Sequence, residues 1–356
     1  MPKAPEDYRM RYPVDFAEID PNACQRNVQL YAQDLGKSRG ILWMPPDRKP
    51  KTCVIMAHPR VDFGHHYSIP FWVDAGFAAF ALNTRYLNND ATMLHENLLL
   101  DIAAGIKFLR EEEGFEHVVM LGNSGGGSLF SYYEAQARTP AADRVAAPPG
   151  GGPPDLRKFD FPTADGFIML AAHPGQGIVL MSCLDAAVVD ESDPYAVDRD
   201  LDMYDERNGF KTPPAESSYS SEFLARYRMG QRARVARLDT IARRHIAESD
   251  MARSVMRAND FKSRSADDRH YIERRAMAPR MMVVYRTQAN PNYLDLSLDP
   301  SERAVGSIIS PRPDLANYVV FGLGRVMTPD AWLSTWSGLS TYARVSENLP
   351  KVTVPT

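Results

Sequence analysis

Cysteine is scarce in this 356-residue chain: Cys24, Cys53 and Cys183 are widely separated, odd in number and form no CxxC pair. That spacing argues against a disulfide framework and against a cysteine-based zinc site, and no metal is expected. Cys53 sits in the apolar run Cys53-Val54-Ile55-Met56-Ala57 and reads as a small core residue. Nor is there a run of about 18 apolar residues, so no membrane span is expected. The first residues, Met1-Pro2-Lys3-Ala4-Pro5-Glu6-Asp7, carry no apolar stretch of the kind a signal peptide needs, which leads to the expectation of a cytoplasmic protein. Charge of one sign is also missing. With 41 basic against 45 acidic residues the formal balance is only −4, which gives no general attraction to nucleic acid or membrane.

The chain does have enough apolar residues for a large core and an alternation of strand and helix patterns. Val28–Ala32 and Gly40–Met44 read as an antiparallel pair, and 53–57, 77–82, 117–121 and 166–172 as short, continuously apolar strands buried on both faces. Between them, 68–75 reads as a short helix, 95–110 as a helix with Leu98, Ile102, Ile106 and Leu109 on one face, and 128–137 as another. Residues 139–165 are rich in Pro, Gly and Asp and read as a loop. From 221 to 280 the pattern turns helical and arginine-rich, 281–285 suggests a strand and 331–342 a helix. The expected organisation is an α/β core over 1–212 with a mostly parallel sheet and helices on both faces, a helical insertion over 213–280, and a return to the core over 281–356.

The segment with chemical content is His117-Val118-Val119-Met120-Leu121-Gly122-Asn123-Ser124-Gly125-Gly126-Gly127-Ser128-Leu129. It places Gly122-x-Ser124-x-Gly126 between an apolar strand and a helix, the context of a nucleophile elbow. A serine there needs a strained backbone, and its neighbours two residues away must be small because strand and helix backbones pass close together. Gly122 and Gly126 meet that need. The turn also points helix N–H groups at the reacting centre. The competing reading is a phosphate-cradling turn, but that wants GxGxxG near the start of a domain, whereas here two βα units come first and the pattern is GxSxGG.

From Val28 to His173 the order of elements resembles the first six strands of the α/β-hydrolase fold: an antiparallel pair, then parallel strands, with the serine after the fifth. The Gly-Asn-Ser-Gly-Gly-Gly variant is similar to that of esterase-like and lactone-hydrolase-like members, and the helical insertion after the sixth strand stands where the family carries a lid. The resemblance implies Ser124 as catalytic nucleophile, no cofactor, and a small-molecule acyl substrate. It also implies an oxyanion hole made by the backbone N–H of Gly125 and by the turn after the third strand, Ala57-His58-Pro59-Arg60. Pro59 has no N–H, so Arg60 is the expected second donor.

The other residues weighed are less specific. His58 reads first as a structural histidine at a strand end. His65 and His66 lie in the loop over the expected oxyanion site, and His173 follows the sixth strand on the edge where ligands bind, so all four are candidate pocket residues. Arg85 and Asp90 read as an ion pair ordering their loop. Asp185, Asp190, Glu191 and Asp193 read as a solvated acidic loop, and Arg226, Arg228, Arg232, Arg234, Arg237, Arg243 and Arg244 as a solvated helix face.

A serine hydroxyl needs a base, and the base needs an orienting acid. In the α/β-hydrolase order both follow the serine, the histidine last, yet no histidine occurs after His270. Residues 349–356 resemble the lead-in to a seventh strand. The expectation is therefore a chain incomplete at its C-terminus, with the acid and base beyond Thr356, an exposed sheet edge and little turnover by itself. The leading functional expectation is a serine hydrolase for an ester, thioester or lactone. The alternatives are an acyltransferase and a non-catalytic relative that binds a small molecule in the same pocket. Oligomeric state is not legible.

Overall fold

Short apolar runs bounded by turn residues form strands because a strand covered on both faces needs few residues and almost no polar ones. The computed structural model describes residues 23–356 except 47, 300, 320 and 321. The described residues form two compact units, one of 23–179 together with Thr341–Thr356, the other of Leu180–Ser340. The expectations on Met1–Asp7 fall outside the described residues.

The first unit holds strands β1 (Cys24–Tyr31), β2 (Lys37–Met44), β3 (Thr52–His58), β4 (Ala78–Asn83), β5 (His117–Asn123) and β6 (Gly166–Leu170) in the order β1-β2-β4-β3-β5-β6. β1, β2 and β4 pair antiparallel; β4, β3, β5 and β6 run parallel. This is the α/β class expected from the sequence. Helices α1 (Ile69–Asp74), α2 (His95–Lys107) and α3 (Gly125–Arg138) alternate with the strands, and α4 (Gln176–Cys183) follows β6. One core cluster joins Val54 and Met56 of β3, Ala79 and Ala81 of β4 and Leu121 of β5 to Ile69 and Val73 of α1. The far edge of the sheet is engaged at Phe167, whose N–H donates to the Pro355 carbonyl at 2.9 Å.

Two boundaries differ from expectation in an informative way. β5 runs on to Asn123, and α3 starts at Gly125 rather than 128. Glycine has poor helix propensity, but the turn leaves no room for a loop, so the three glycines are the first turn of the helix.

Arg85 does not pair with Asp90. It reaches Asp34 (2.6 and 2.8 Å) and the fully buried Asp101 of α2 (Nε, 2.9 Å), and its backbone N–H donates to Asp101 at 2.9 Å. Asp90 pairs instead with Arg60, at 3.3 Å. A buried carboxylate is costly without a counter-charge, and Asp101, in the middle of the apolar face of α2, has the stronger claim on Arg85.

The second unit is built on a 37-residue helix, α5 (Ser221–Arg257), packed with α6 (Ala266–Met277). Ser220 caps α5 by accepting from Phe223 N, and Tyr219, Phe223 and Tyr227 stack in sequence at 5.4 and 5.6 Å. The unit extends beyond 213–280 because Ala186, Met203, Ala289 and Leu294 share its core with those aromatics. Asp185 is not in a solvated acidic loop: it is fully buried against Arg286 at 2.6 Å and accepts from Asn317 at 3.0 Å. Arg234 is likewise buried, held by both carboxylate oxygens of Glu191 (3.0 and 2.8 Å), while Arg228 is half-buried; Arg226, Arg232, Arg237, Arg243 and Arg244 are exposed as expected. The strand expected over 281–285 is only β7 (Met282–Val283), paired with β8 (Val326–Met327). The helix expected over 331–342 is confined to Pro329–Trp336, because the Ser337 hydroxyl then accepts from the N–H groups of Leu339 and Ser340 and turns the chain. Among the described residues no helix is long and apolar enough to cross a membrane.

Arg85→Ala leaves the Asp101 carboxylate buried without its partner. The expected result is a loss of about 3–5 kcal/mol of stability, read as a lowered urea midpoint with unchanged slope. A loss below about 1 kcal/mol, the range of an exposed pair, would contradict the role given to Arg85.

Candidate active site

The serine turn is fixed by backbone contact. Ser124 takes φ 52° and ψ −120°, a conformation non-glycine residues rarely adopt and one that costs about 1–3 kcal/mol. A Cβ on Gly122 would stand 2.6 Å from Gly127 Cα, and one on Gly126 2.3 Å from the Ala57 carbonyl oxygen at the end of β3. Both obstructions are main chain and cannot swing aside. Ser124 is also tied across the sheet: its N–H donates to Leu170 O at 3.3 Å, and its carbonyl accepts from His173 N at 3.2 Å. The serine side chain, partly exposed, therefore stands at the C-terminal edge of the parallel strands, where α/β sheets bind ligands.

Two imidazoles meet beside it. His58 ends β3 and is buried; its Nδ1 accepts from the N–H groups of Arg60 (3.2 Å) and Val61 (3.1 Å). His173, half-buried, follows β6, and its Nδ1 accepts from Gly175 N at 3.2 Å. A backbone N–H can only donate, so in both rings the proton resides on Nε2. Burial holds both rings neutral: His58 is pushed well below the usual histidine range, with Arg60 adding to the effect, and His173 is lowered to about 4. Both Nε2 atoms pack against the start of α3: a Cβ on Gly125 would lie 3.0 Å from His58 Nε2 and 3.2 Å from His173 Nε2.

The remaining candidates sort differently. Gly125 is the first residue of α3, and the leading N–H groups of a helix have no partner within it. The Arg60 N–H, the expected second donor, is already engaged by His58 Nδ1. The proline that displaced the donor onto Arg60 left that donor facing the preceding imidazole. His66 is buried, with Nδ1 on Ser68 Oγ (2.8 Å) and Nε2 3.4 Å from Asn123 Oδ1, so it braces the residue before the serine. Asn123 is fixed further by donating to Leu170 O (2.8 Å) and Tyr67 Oη (3.1 Å). His65 is exposed, edge-on to Trp43, and lines a separate cavity of about 460 Å³ with Gly40, Ile41, Asp62 and Asn83; no elbow residue lines that cavity.

No sequence pattern singles out Gln176. It is buried at the start of α4, its Cδ would lie 3.3 Å from a Cβ on Gly125, and its side-chain Nε2 has no hydrogen-bond partner. Glutamine at a helix start is common, and only the structure shows that this amide faces the serine turn.

No protein-family model matches the chain, and no curated protein matches it. Solved structures match it in part. One of two prolyl endopeptidases is 21% identical, with 34% of this chain and 20% of that one covered and a TM-score of 0.30. Brefeldin A esterase, a bacterial homologue of human hormone-sensitive lipase, is 15% identical over 37% and 40%, with a TM-score of 0.31. An esterase of Pyrococcus furiosus is 19% identical over 36% and 52%, with a TM-score of 0.29. The chain thus spans about a fifth to a half of the length of these proteins. In this chain an antiparallel pair leads into parallel strands, and the serine turn follows the fifth strand.

Two outcomes are expected. Gly126→Ala drives a methyl into the Ala57 carbonyl and should destabilise the protein by about 1–3 kcal/mol or more, seen as a lower melting temperature. A group whose folded pKa is depressed contributes stability above its ordinary pKa that is lost as pH falls through that range. His173 should therefore make the protein less stable as pH falls from about 6.5 towards 4. His173→Gln should flatten that part of the stability–pH curve; an unchanged curve would remove His173 as a contributor.

Proposed function

We propose that the chain is a serine hydrolase of the α/β-hydrolase type, acting on a carboxylic ester, thioester or lactone through an acyl-enzyme on Ser124. The observation that carries this reading is the conformation of Ser124, at φ 52° between β5 and α3, held there by glycine-only contacts on both sides. Strain of this kind clusters at functional sites, and Ser124 is partly exposed at the C-terminal end of the parallel strands. In the proposed reaction Ser124 Oγ forms a bond to the carbonyl carbon as its proton passes to a base. The carbonyl oxygen becomes an oxyanion beside the Gly125 N–H, and collapse expels the alcohol, thiol or ring oxygen. Water then attacks the acyl-enzyme and releases the acid. An acyltransferase differs only in the second acceptor. No cofactor takes part in this chemistry.

A specific observation favours the non-catalytic alternative, a small-molecule binder using the same pocket. The two imidazoles nearest the turn present Nε2–H, a donor, where a base must present a lone pair. A fluorophosphonate separates the two readings. Covalent labelling of Ser124, located by peptide mass spectrometry and abolished in Ser124→Ala, is the expected result. No labelling of the folded protein at any pH between 6 and 9 would leave the binding reading.

A further inference from the structure

We propose that the outer edge of β1 is a docking strand for an extended peptide of a partner protein. The peptide would pair antiparallel with Asn27–Gln29, directing a basic side chain to one face of the sheet and acidic side chains to the other. Three strands, β2, β4 and β3, separate this edge from β5 and the serine turn, and the proposal does not depend on the serine-hydrolase reading.

β1 is the last strand of the sheet and pairs on one side only, with β2. Ala32 N donates to Gly36 O at 2.8 Å where the hairpin closes, so by two-residue alternation the backbone groups of Leu30, Val28 and Arg26 face β2 as well. Those of Asn27, Gln29 and Tyr31 face away from the sheet. Exposed edges are ordinarily shortened, bulged, interrupted by proline or covered. β1 is eight residues long, has no proline, and pairs one-to-one from Cys24 opposite Met44 to Tyr31 opposite Lys37 without a bulge. Among the described residues no strand lies against its outer side. Its one charged side chain, Arg26, is turned onto the Phe108 ring and Glu113.

Two cavities flank this edge, and Val28 and Gln29 line both of them. Side chains alternate across a strand, so the cavities stand on opposite faces. Asn27 and Gln29 border the one of about 460 Å³ together with Arg39 and Asp62. Val28 and Leu30 border one of about 800 Å³ together with Ala104, Phe108 and Glu112. Strand addition needs this combination: main-chain bonds give affinity, and a pocket on each face takes alternate side chains. The charges select those side chains. In the larger cavity Lys107 is paired with Glu111 at 3.7 Å, and Arg144 is engaged by the carbonyls of Gln136, Thr139 and Phe159. The carboxylates of Glu112 and Asp160 line the same cavity without a cation among the described residues, which favours a Lys or Arg whose stem lies on Val28, Leu30 and Phe108. In the smaller cavity Asp62 accepts from Gly64 N (2.7 Å) and Asn83 Nδ2 (2.6 Å). The exposed Arg39, opposite Gln29 in the ladder, has no carboxylate among the described residues, which favours an acidic side chain there.

The test uses the full chain and the peptide acetyl-Thr-Glu-Lys-Glu-Thr-amide, with its lysine opposite Val28 and its glutamates opposite Asn27 and Gln29. The expected result is saturable perturbation of the Asn27 and Gln29 amides in 1H–15N spectra. In antiparallel pairing the two glutamate amides face β1 and the lysine amide faces away. Methylating the glutamate nitrogens should therefore weaken binding at least about tenfold, and methylating the lysine nitrogen should leave it unchanged. Gln29→Pro deletes an N–H that the β1–β2 ladder does not use, so the melting temperature should hold while binding weakens about tenfold. Glu112→Lys and Arg39→Glu, both at exposed positions, should each weaken binding about threefold at low salt, a difference that about 1 M salt removes. If Gln29→Pro does not fold, the methylated peptides and the two charge variants decide. No saturable perturbation at millimolar peptide, equal losses from methylating either set of nitrogens, or undiminished binding to both charge variants would overturn the proposal. Self-association of the wild type that Gln29→Pro abolishes would also overturn it, by giving the edge to a second copy of the chain.

Discussion

The contact between the first turn of α3 and the end of β3 is the constraint on which the rest of the site depends. Gly126 lies so near the Ala57 carbonyl that a single methyl cannot enter, and Gly122 passes Gly127 as closely. Helix and strands are thereby drawn together until the connecting residue has no room for a relaxed backbone. Ser124 bears that strain. Because Ala57 precedes His58, the same contact that bends the serine turn also sets where the β3 imidazole stands.

The second layer of order is set by backbone N–H groups acting on rings. Three main-chain donors, from Arg60, Val61 and Gly175, settle the tautomers of His58 and His173 before any substrate arrives. Preorganisation of this kind is what makes electrostatic stabilisation effective, since no dipole has to reorient as charge develops. Burial contributes in the same direction by disfavouring the charged imidazolium, so the rings remain neutral donors over the physiological range.

Most of the sheet and the serine turn were legible in the sequence because both follow from rules that are local along the chain. Apolar runs of five to seven residues declare buried strands, and Gly-x-Ser-x-Gly between a strand and a helix declares a strained turn. The sequence was less informative wherever pairing across the chain decides. Arg85 had an acidic neighbour in Asp90, yet burial gave the pair to Asp101, 16 residues on, and left Asp90 to Arg60. Asp185 looked like one of a solvated acidic group, but Arg286, a hundred residues later, takes it into the core. The oxyanion donor on Arg60 was inferred from the missing N–H of Pro59, and that logic could not foresee an imidazole nitrogen occupying the donor first. Gln176 carried no signal at all, because a glutamine becomes noteworthy only when its amide is buried and unpaired.

The arrangement has a consequence for the proton of Ser124. His173 is the imidazole tied most directly to the serine, through the bond from its own N–H to the Ser124 carbonyl. To accept the hydroxyl proton at Nε2 it would have to move its ring proton to Nδ1, and Nδ1 would then face the Gly175 N–H with a proton of its own. That exchange replaces a hydrogen bond by a repulsion between two donors. His58 is held more firmly still, by two backbone donors. Removal of a proton from Ser124 within this site therefore requires either the His173 rearrangement or an acceptor other than these two rings.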